Sequence, residues 1–478
     1  MLFNSYAFIV AFLPLAVAAY FSVARVSLRA ADACLALASL VFYAWWRLDF
    51  LWILLGSIAA NHAVGRVLST GVRTGRPSKA LLAAGIASNL ALLGVFKYAD
   101  FFIANVNALA GAHWPFLRLA LPLGISFFTF TQVAYLVDAF KGEAAEYRAT
   151  RYVLFVSFFP HLLAGPIIHH REMMPQFADA RLKRLDWQNV ARGLALFTLG
   201  LVKKAIVADT LAPWADAGFA HAHALTFADA WITMLAYAMQ LYFDFSGYTD
   251  MALGAALMFN IRLPRNFDAP HRAADIREFW RRWHITLSRF LRDYIYIPLG
   301  GNRAGERRML ALFLATFAIG GLWHGAAWTF VAWGVLHGLA LVTLHFWRKL
   351  GRPLPWHAAV GLTFLFTSVA FVVFRAPGLR AAGAILASVA GLERPGLQFN
   401  LPAWVEAAHR GSSMPAANEW TALAMLAAAM GIAFARGTAA DFAAGFPLHG
   451  AWRYAFGAML AAGLVFIEGG GPFIYSLF

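Results

Sequence analysis

Apolar runs long enough to cross a lipid bilayer recur along the whole of this sequence, and they leave few folds open. A spanning helix needs roughly 20 mostly apolar residues. Thirteen stretches approach that length: 6–24, 30–46, 48–68, 79–97, 119–140, 152–169, 189–211, 228–245, 309–323, 326–347, 357–374, 420–435 and 452–467. Composition closes the alternative. Only 13% of the 478 residues are charged and 61% are apolar or aromatic, against about 25% and 45–50% in a soluble domain. Too few ionic side chains exist to cover a soluble surface of this size. The mean hydropathy of +0.62 agrees. The expectation is an all-α integral membrane protein, a polytopic helical bundle forming one domain over 1–478. Within it, N-terminal spans occupy 1–150, a central segment 151–350 and C-terminal spans 351–478. Residues 391–419, rich in Pro, Asn and Ser, read as an external loop with a short helix near 404–408.

Residues 1–24 lack the basic start and small-residue cleavage site of a signal peptide, and read as a retained first span. Arg25 and Arg29 follow that span, and Arg66, Arg73, Arg76 and Lys79 follow the third, with no acid among them. Arg47 with Asp49 and Lys97 with Asp100 cancel in the loops between. The positive-inside rule then puts the N-terminus outside and the basic loops in the cytoplasm. The single cysteine, Cys34, reads as a small buried hydrophobe and permits no intrachain disulfide.

One run is interrupted. Pro160–His161 and Ala164–Gly165–Pro166 break 152–169 in mid-span. Lipid cannot satisfy the freed backbone groups, so this segment should re-enter against protein or a water-filled cavity. His161, His169 and His170 sit at the break and its exit, but adjacent histidines diverge on a helix and make weak metal evidence. No metal site is expected.

Residues 276–301, IREFWRRWHITLSRFLRDYIYIPLGG, hold the densest charge. At about 100° per residue, Phe279, Trp280, Trp283, Leu287, Phe290, Leu291 and Tyr294 share one face. Arg277, Arg281, Arg282, Arg289 and Arg292 lie opposite. The spacing predicts one amphipathic helix at an interface or cavity mouth, with His284 beside its apolar edge. Such a helix can simply anchor to lipid phosphates. Its arginines also suit an anionic ligand, and Arg277, Arg281 and Arg282 are candidate donor contacts. Eleven arginines against five acids between Arg262 and Arg308 account for six of the net +15. The basic excess therefore reflects loop orientation and this segment, and nucleic acid is not an expected partner.

His324, in GGLWHGAAW, lies within an apolar run beside Trp323. An ionisable residue at membrane depth is costly and is a functional candidate by default. Its plainer use is one hydrogen bond across helices. Burial disfavours the imidazolium, leaving a neutral ring able to accept a proton. His337 follows 13 residues later, about 20 Å along a continuous helix. It shares a site with His324 only if Gly325 or Gly334 breaks that helix. Asp244, in QLYFDFSGYTDMALG, either orients a histidine or arginine or gives structural support. Gly247 allows a break or a close approach. No phosphate-binding G-x-x-x-x-G-K-[ST] and no G-x-S-x-G elbow with a triad is present, which disfavours an ATP-driven pump and a serine hydrolase. Buried His and Asp with a basic amphipathic segment also suit a transporter for polysaccharide or lipid-linked sugar.

Taken together, VFYAWWRLDF, GVFKYADFF, LPLGISFFTF, FFPHLLAGPI, QLYFDFSGYTDMA, EFWRRWHITLSRFLRDYIYIPLGGNR, GGLWHGA and the closing GPFIYSLF resemble the membrane-bound O-acyltransferase (MBOAT) superfamily. The likeness is to its bacterial branch, similar to alginate O-acetyltransferase, and is looser beyond about residue 350. It implies spans and re-entrant segments around a central catalytic funnel in a bacterial inner membrane. Within the 151–350 catalytic core that it implies, the superfamily's catalytic histidine maps onto His324, as the base that takes the hydroxyl proton. Its second polar position maps onto His284, expected to orient the thioester or assist the developing oxyanion. Asp244, in the matching YFDFSGY segment, is expected to be architectural or to line the cavity. Asp244 and Trp323, the latter beside His324, join Arg277, Arg281 and Arg282 as substrate- and donor-binding candidates. The resemblance implies acetyl transfer from a cytoplasmic thioester such as acetyl-CoA, with no tightly bound cofactor. The acceptor is an exported polysaccharide, reached directly or through a periplasmic SGNH-type partner. Peptidoglycan, teichoic acid, cellulose or a lipid are the alternative acceptors.

Overall fold

The computed structural model describes residues 1–145, 148–408, 418–445, 450–467 and 473–474. Every regular element among them is a helix, as a chain must be where only intra-segment hydrogen bonds can satisfy the backbone. Among the described residues five helices are long and apolar enough to cross a membrane: Ala7–Ala24, Leu48–Arg73, Lys79–Ala110, Trp328–Lys349 and Trp356–Arg375. The starts follow local chemistry. The Ser27 and Ser78 hydroxyls accept the N–H groups of Ala30 and Leu81 at 3.2 and 3.1 Å, capping the helices Leu28–Ala44 and Lys79–Leu93.

Several expected boundaries move. The third of those five spans runs past Lys97 through a wider turn at Gly94–Tyr98. The Lys97 ammonium donates to the Ser126 hydroxyl at 3.1 Å, so a cation inside the helix does not end it. Left-handed Gly111 does. Residues 119–124, expected as the start of a span, are not helical, and the helix begins at Ile125. Pro115 and Pro122 disfavour helix there. The Asp100 carboxylate instead holds that loop by accepting the N–H groups of Leu117 and Arg118 at 2.7 and 3.0 Å. The 228–245 run belongs to a longer helix, Phe227–Met258, with no break at Gly247. A Cβ at Gly247 would meet the Gly200 carbonyl oxygen at 2.7 Å, so this glycine serves close packing. The 152–169 run is broken as expected, into Ala149–Ser157 and Phe159–Leu162 followed by non-helical chain up to His170–Ala178. A helix does cover the expected 404–408, as Leu401–Ala408. Residues 409–417 of the expected external loop, and most of GPFIYSLF, lie outside the described residues.

The chain divides into two compact units. One comprises Met1–Thr198, Tyr248–Arg265 and Ala443–Phe456. Its core is aromatic, with Phe3 4.8 Å from Phe8 and Phe42 5.4 Å from Phe159 between ring centroids. Two of its buried polar clusters are paired, as low dielectric favours. Asn61 and Asn89 exchange side-chain amide bonds at 3.1 and 2.6 Å, and buried Asp32 bonds Lys183 and lies 3.6 Å from Arg151.

The other unit comprises Leu199–Gly247, Asn266–Phe442 and Gly457–Phe478. Its centre is a hairpin of two helices, Glu306–His324 and Trp328–Lys349. Small residues let the backbones touch. A Cβ at Gly334 would lie 2.1 Å from the Phe317 carbonyl oxygen, and one at Gly321 at 2.1 Å from that of Phe330.

Candidate active site

His324 is the last residue of its helix, and Gly325 continues in an extended conformation. The helix therefore ends where the chemistry is expected, and the turn delivers a buried imidazole, 3% exposed, to the top of the hairpin. Three rings enclose it: Trp323, Trp333 and Phe374, with centroids at 5.0, 5.1 and 5.3 Å.

His284 reaches the same place by a different route. Residues 276–301 do not form the single helix that the wheel implies. Ile276–Arg282 ends at extended Trp283, and Ile285–Leu291 begins after His284. His284 itself is left-handed, with φ 43 and ψ 53, a region that costs a side-chain-bearing residue about 1–2 kcal/mol. Strain of this kind persists where surroundings over-determine it. Here Asn266 supplies the determination. Its backbone carbonyl accepts Ile285 N–H at 3.0 Å. Its side-chain oxygen accepts Thr286 N–H at 3.3 Å, the Thr286 hydroxyl at 2.9 Å and His284 Nδ1 at 3.1 Å.

Because that oxygen only accepts, Nδ1 carries the proton and Nε2 is the ring's acceptor. Burial pushes this imidazole well below its ordinary pKa, so it is neutral. Its centroid lies 6.3 Å from that of His324 and 6.1 Å from Trp323, with Phe245 edge-on at 4.8 Å. Two histidines forty residues apart in sequence thus converge in one aromatic chamber, in a single unit.

The remaining sequence candidates divide. Arg282 is engaged by Glu278 at 2.8 Å and by Asp268 at 3.8 Å, bracing its own helix and the preceding loop. Arg281 is exposed and Arg277 half-buried. Burial, and then the neighbouring cations Arg348 and Arg281, push the Arg277 guanidinium below its usual pKa, with Asp275 opposing them. Asp244 is fully buried in an ion triad. One of its oxygens lies 2.6 Å from the Lys204 ammonium and the other accepts Ile474 N–H at 3.1 Å. The same ammonium bonds Asp209 at 2.7 Å. Sequence reasoning missed Asn266, Lys204 and the packing of Trp333. None sits in a periodic pattern, and the signal for Asn266 was only a polar residue in a loop ahead of the arginine segment.

The second unit thus brings two buried histidines together beside an arginine-bearing helix, in a helical chain with five candidate spans among its described residues. The profile of the MBOAT, membrane-bound O-acyltransferase family matches residues 107–372. The chain is 45% identical over 423 residues to the peptidoglycan O-acetyltransferase of Helicobacter pylori, covering 82% of this chain and 80% of that one. It is 42% identical over 401 residues to a probable alginate O-acetylase AlgI of Azotobacter vinelandii, covering 81% and 78%. Against the corresponding Pseudomonas aeruginosa protein it is 41% identical over 396 residues, covering 80% and 73%. The chain belongs to the membrane-bound O-acyltransferase family. It is an acyltransferase.

Proposed function

We propose that this protein moves an acetyl group from a cytoplasmic thioester, acetyl-CoA or a close analogue, to a hydroxyl destined for an exported envelope polysaccharide in a bacterial inner membrane. The observation that carries the reading is the convergence of His324 and His284. The thioester is already activated, so the remaining barrier is deprotonation of the attacking hydroxyl. In this reading His324 takes that proton as the oxygen bonds the acyl carbon, a step that typically contributes about 10²–10⁴-fold. The carbon–sulfur bond breaks and the proton passes to the thiolate, leaving ester and free thiol.

His284 is given a narrower task than the sequence allowed. With Nδ1–H held by Asn266, its Nε2 offers a lone pair and suits orienting the hydroxyl. It does not suit donation to a developing oxyanion. Arg277 and Arg281 hold the anionic part of the donor, Trp323 lines the acyl pocket between the two imidazoles, and Asp244 supports the fold through Lys204. The acceptor is a polysaccharide such as alginate or peptidoglycan, or the serine of an SGNH-type periplasmic partner that relays the group. The names of the three relatives, a peptidoglycan O-acetyltransferase and two probable alginate O-acetylases, support an envelope acceptor of this kind.

The decisive experiment follows free thiol release from acetyl-CoA by the purified protein in nanodiscs. His324→Ala should lower turnover about 10²–10⁴-fold, and a variant retaining the wild-type rate overturns the reading. Mass analysis of acetyl esters on envelope polymers, with and without the gene, identifies the acceptor.

A further inference from the structure

The hairpin holds a second buried histidine that the proposed reaction does not use. His337 is fully buried, and its Nδ1 accepts the indole N–H of Trp280 at 3.2 Å. That bond fixes the tautomer, because Nδ1 receives a donor and the proton must sit on Nε2. Had the helix continued past Gly325, His337 would lie remote from His324. The turn folds it back. Trp333, four residues before His337 and on the same helix face, has its ring centroid 4.8 Å from His337 and 5.1 Å from His324. The Trp333 and His324 planes meet at 89°, and Trp280 closes the group at 5.8 Å from Trp333. Phe366 and Phe317 pack on the remaining sides of His337 at 5.3 and 6.4 Å.

Packing alone lets a ring choose among rotamers, whereas a buried, satisfied hydrogen bond behind it selects one. Trp280 lies on the Ile276–Arg282 helix and His337 on the hairpin, so their bond ties the arginine-bearing helix to the wall of the histidine chamber. We propose that Trp280 and His337 are positioning residues: they lock Trp333 against His324 and so set the direction in which His324 presents its accepting nitrogen. The proposal rests on His324 being the general base. Proton transfer needs that nitrogen within about 2.6–3.2 Å of the hydroxyl, and a misplacement of about 1 Å can cost roughly a hundredfold.

The test uses Trp280→Phe, His337→Phe, the double variant and His337→Asn, whose side-chain oxygen stands where Nδ1 does. Two readouts are taken on the full-length protein in nanodiscs: kcat and KM for acetyl transfer, and the rate of diethyl pyrocarbonate labelling at His324 by peptide mass analysis. Trp280→Phe and His337→Phe should each lower kcat about tenfold with KM for the thioester unchanged, and shift His324 labelling by roughly threefold. The double variant should be no worse than the poorer single one, and His337→Asn should keep most of the rate. Additive losses, equal damage from Asn and Phe, or unchanged His324 labelling alongside a lowered melting temperature would overturn the proposal. If the wild type shows no His324-dependent transfer, the base role fails instead. Labelling at His324 in Trp280→Phe then still decides whether the network orients that ring.

Discussion

Two segments of this molecule break a helix around buried histidines, and they do so to different ends. In the first unit, His161 sits in the short helix Phe159–Leu162. Its Nε2 donates to the Phe155 carbonyl at 2.9 Å, while His170 packs its ring against Tyr135 and Phe155 at 5.3 and 5.6 Å. The His161 ring closes on backbone six residues away and completes a helix end. In the second unit, His284 donates to a side-chain amide eighteen residues upstream and brings its ring to within 6.3 Å of another imidazole. Burial and a broken helix are common to both. What differs is the partner of the ring: local backbone satisfies His161, whereas a distant polar side chain aims His284.

The comparison can be broken by exchanging roles. His324→Ala should lower kcat by about 10²–10⁴-fold, whereas His161→Phe should leave kcat per folded molecule unchanged. A loss of kcat at position 161 would erase the distinction. Next in size, Lys204→Met strands two buried carboxylates and should cost about 3–5 kcal/mol of stability, read as a fall in melting temperature or in recovered protein. Asn266→Ala removes the acceptor for His284 Nδ1–H and should lower kcat roughly ten- to hundredfold, equivalent to about 1.4–2.8 kcal/mol; its effect should vanish in a His284→Ala background. His161→Phe itself should lower stability by about 1–2 kcal/mol through the stranded Phe155 carbonyl, as chemical denaturation can measure. Smallest, Arg282→Gln loses a half-exposed pair and should cost about 0.5 kcal/mol with no change in KM for the donor. A raised KM there would return Arg282 to the donor site.

Much of this was legible in the sequence. The recurring apolar runs announced a polytopic helical chain, the prolines at 160 and 166 marked the broken segment, and the motif likeness paired His324 with His284. The failures share a cause. A helical wheel assumes continuity, so it placed His284 beside the apolar edge of one helix and could not register a left-handed residue that splits the helix in two. The same assumption kept His337 far from His324 until the extended Gly325 folded the chain back. Asn266 and Lys204 act across long sequence separations, and nothing in their neighbourhoods marks them. Asp244 was weighed as a support or as an orienting group because its sequence surroundings do not reveal the lysine forty residues earlier.

The left-handed backbone at His284 carries an evolutionary consequence. Positive φ disfavours β-branched and bulky side chains before any chemistry is tested, and outside glycine it favours Asn, Asp and His. Sequence drift at this position is therefore confined to a short set of residues, two of which keep a hydrogen-bonding side chain without an imidazole. Glycine would relieve the backbone best and orient nothing. The site is thus filtered twice, first by conformation and then by catalysis, and a lineage that changed its acceptor would have few ways to rewrite it.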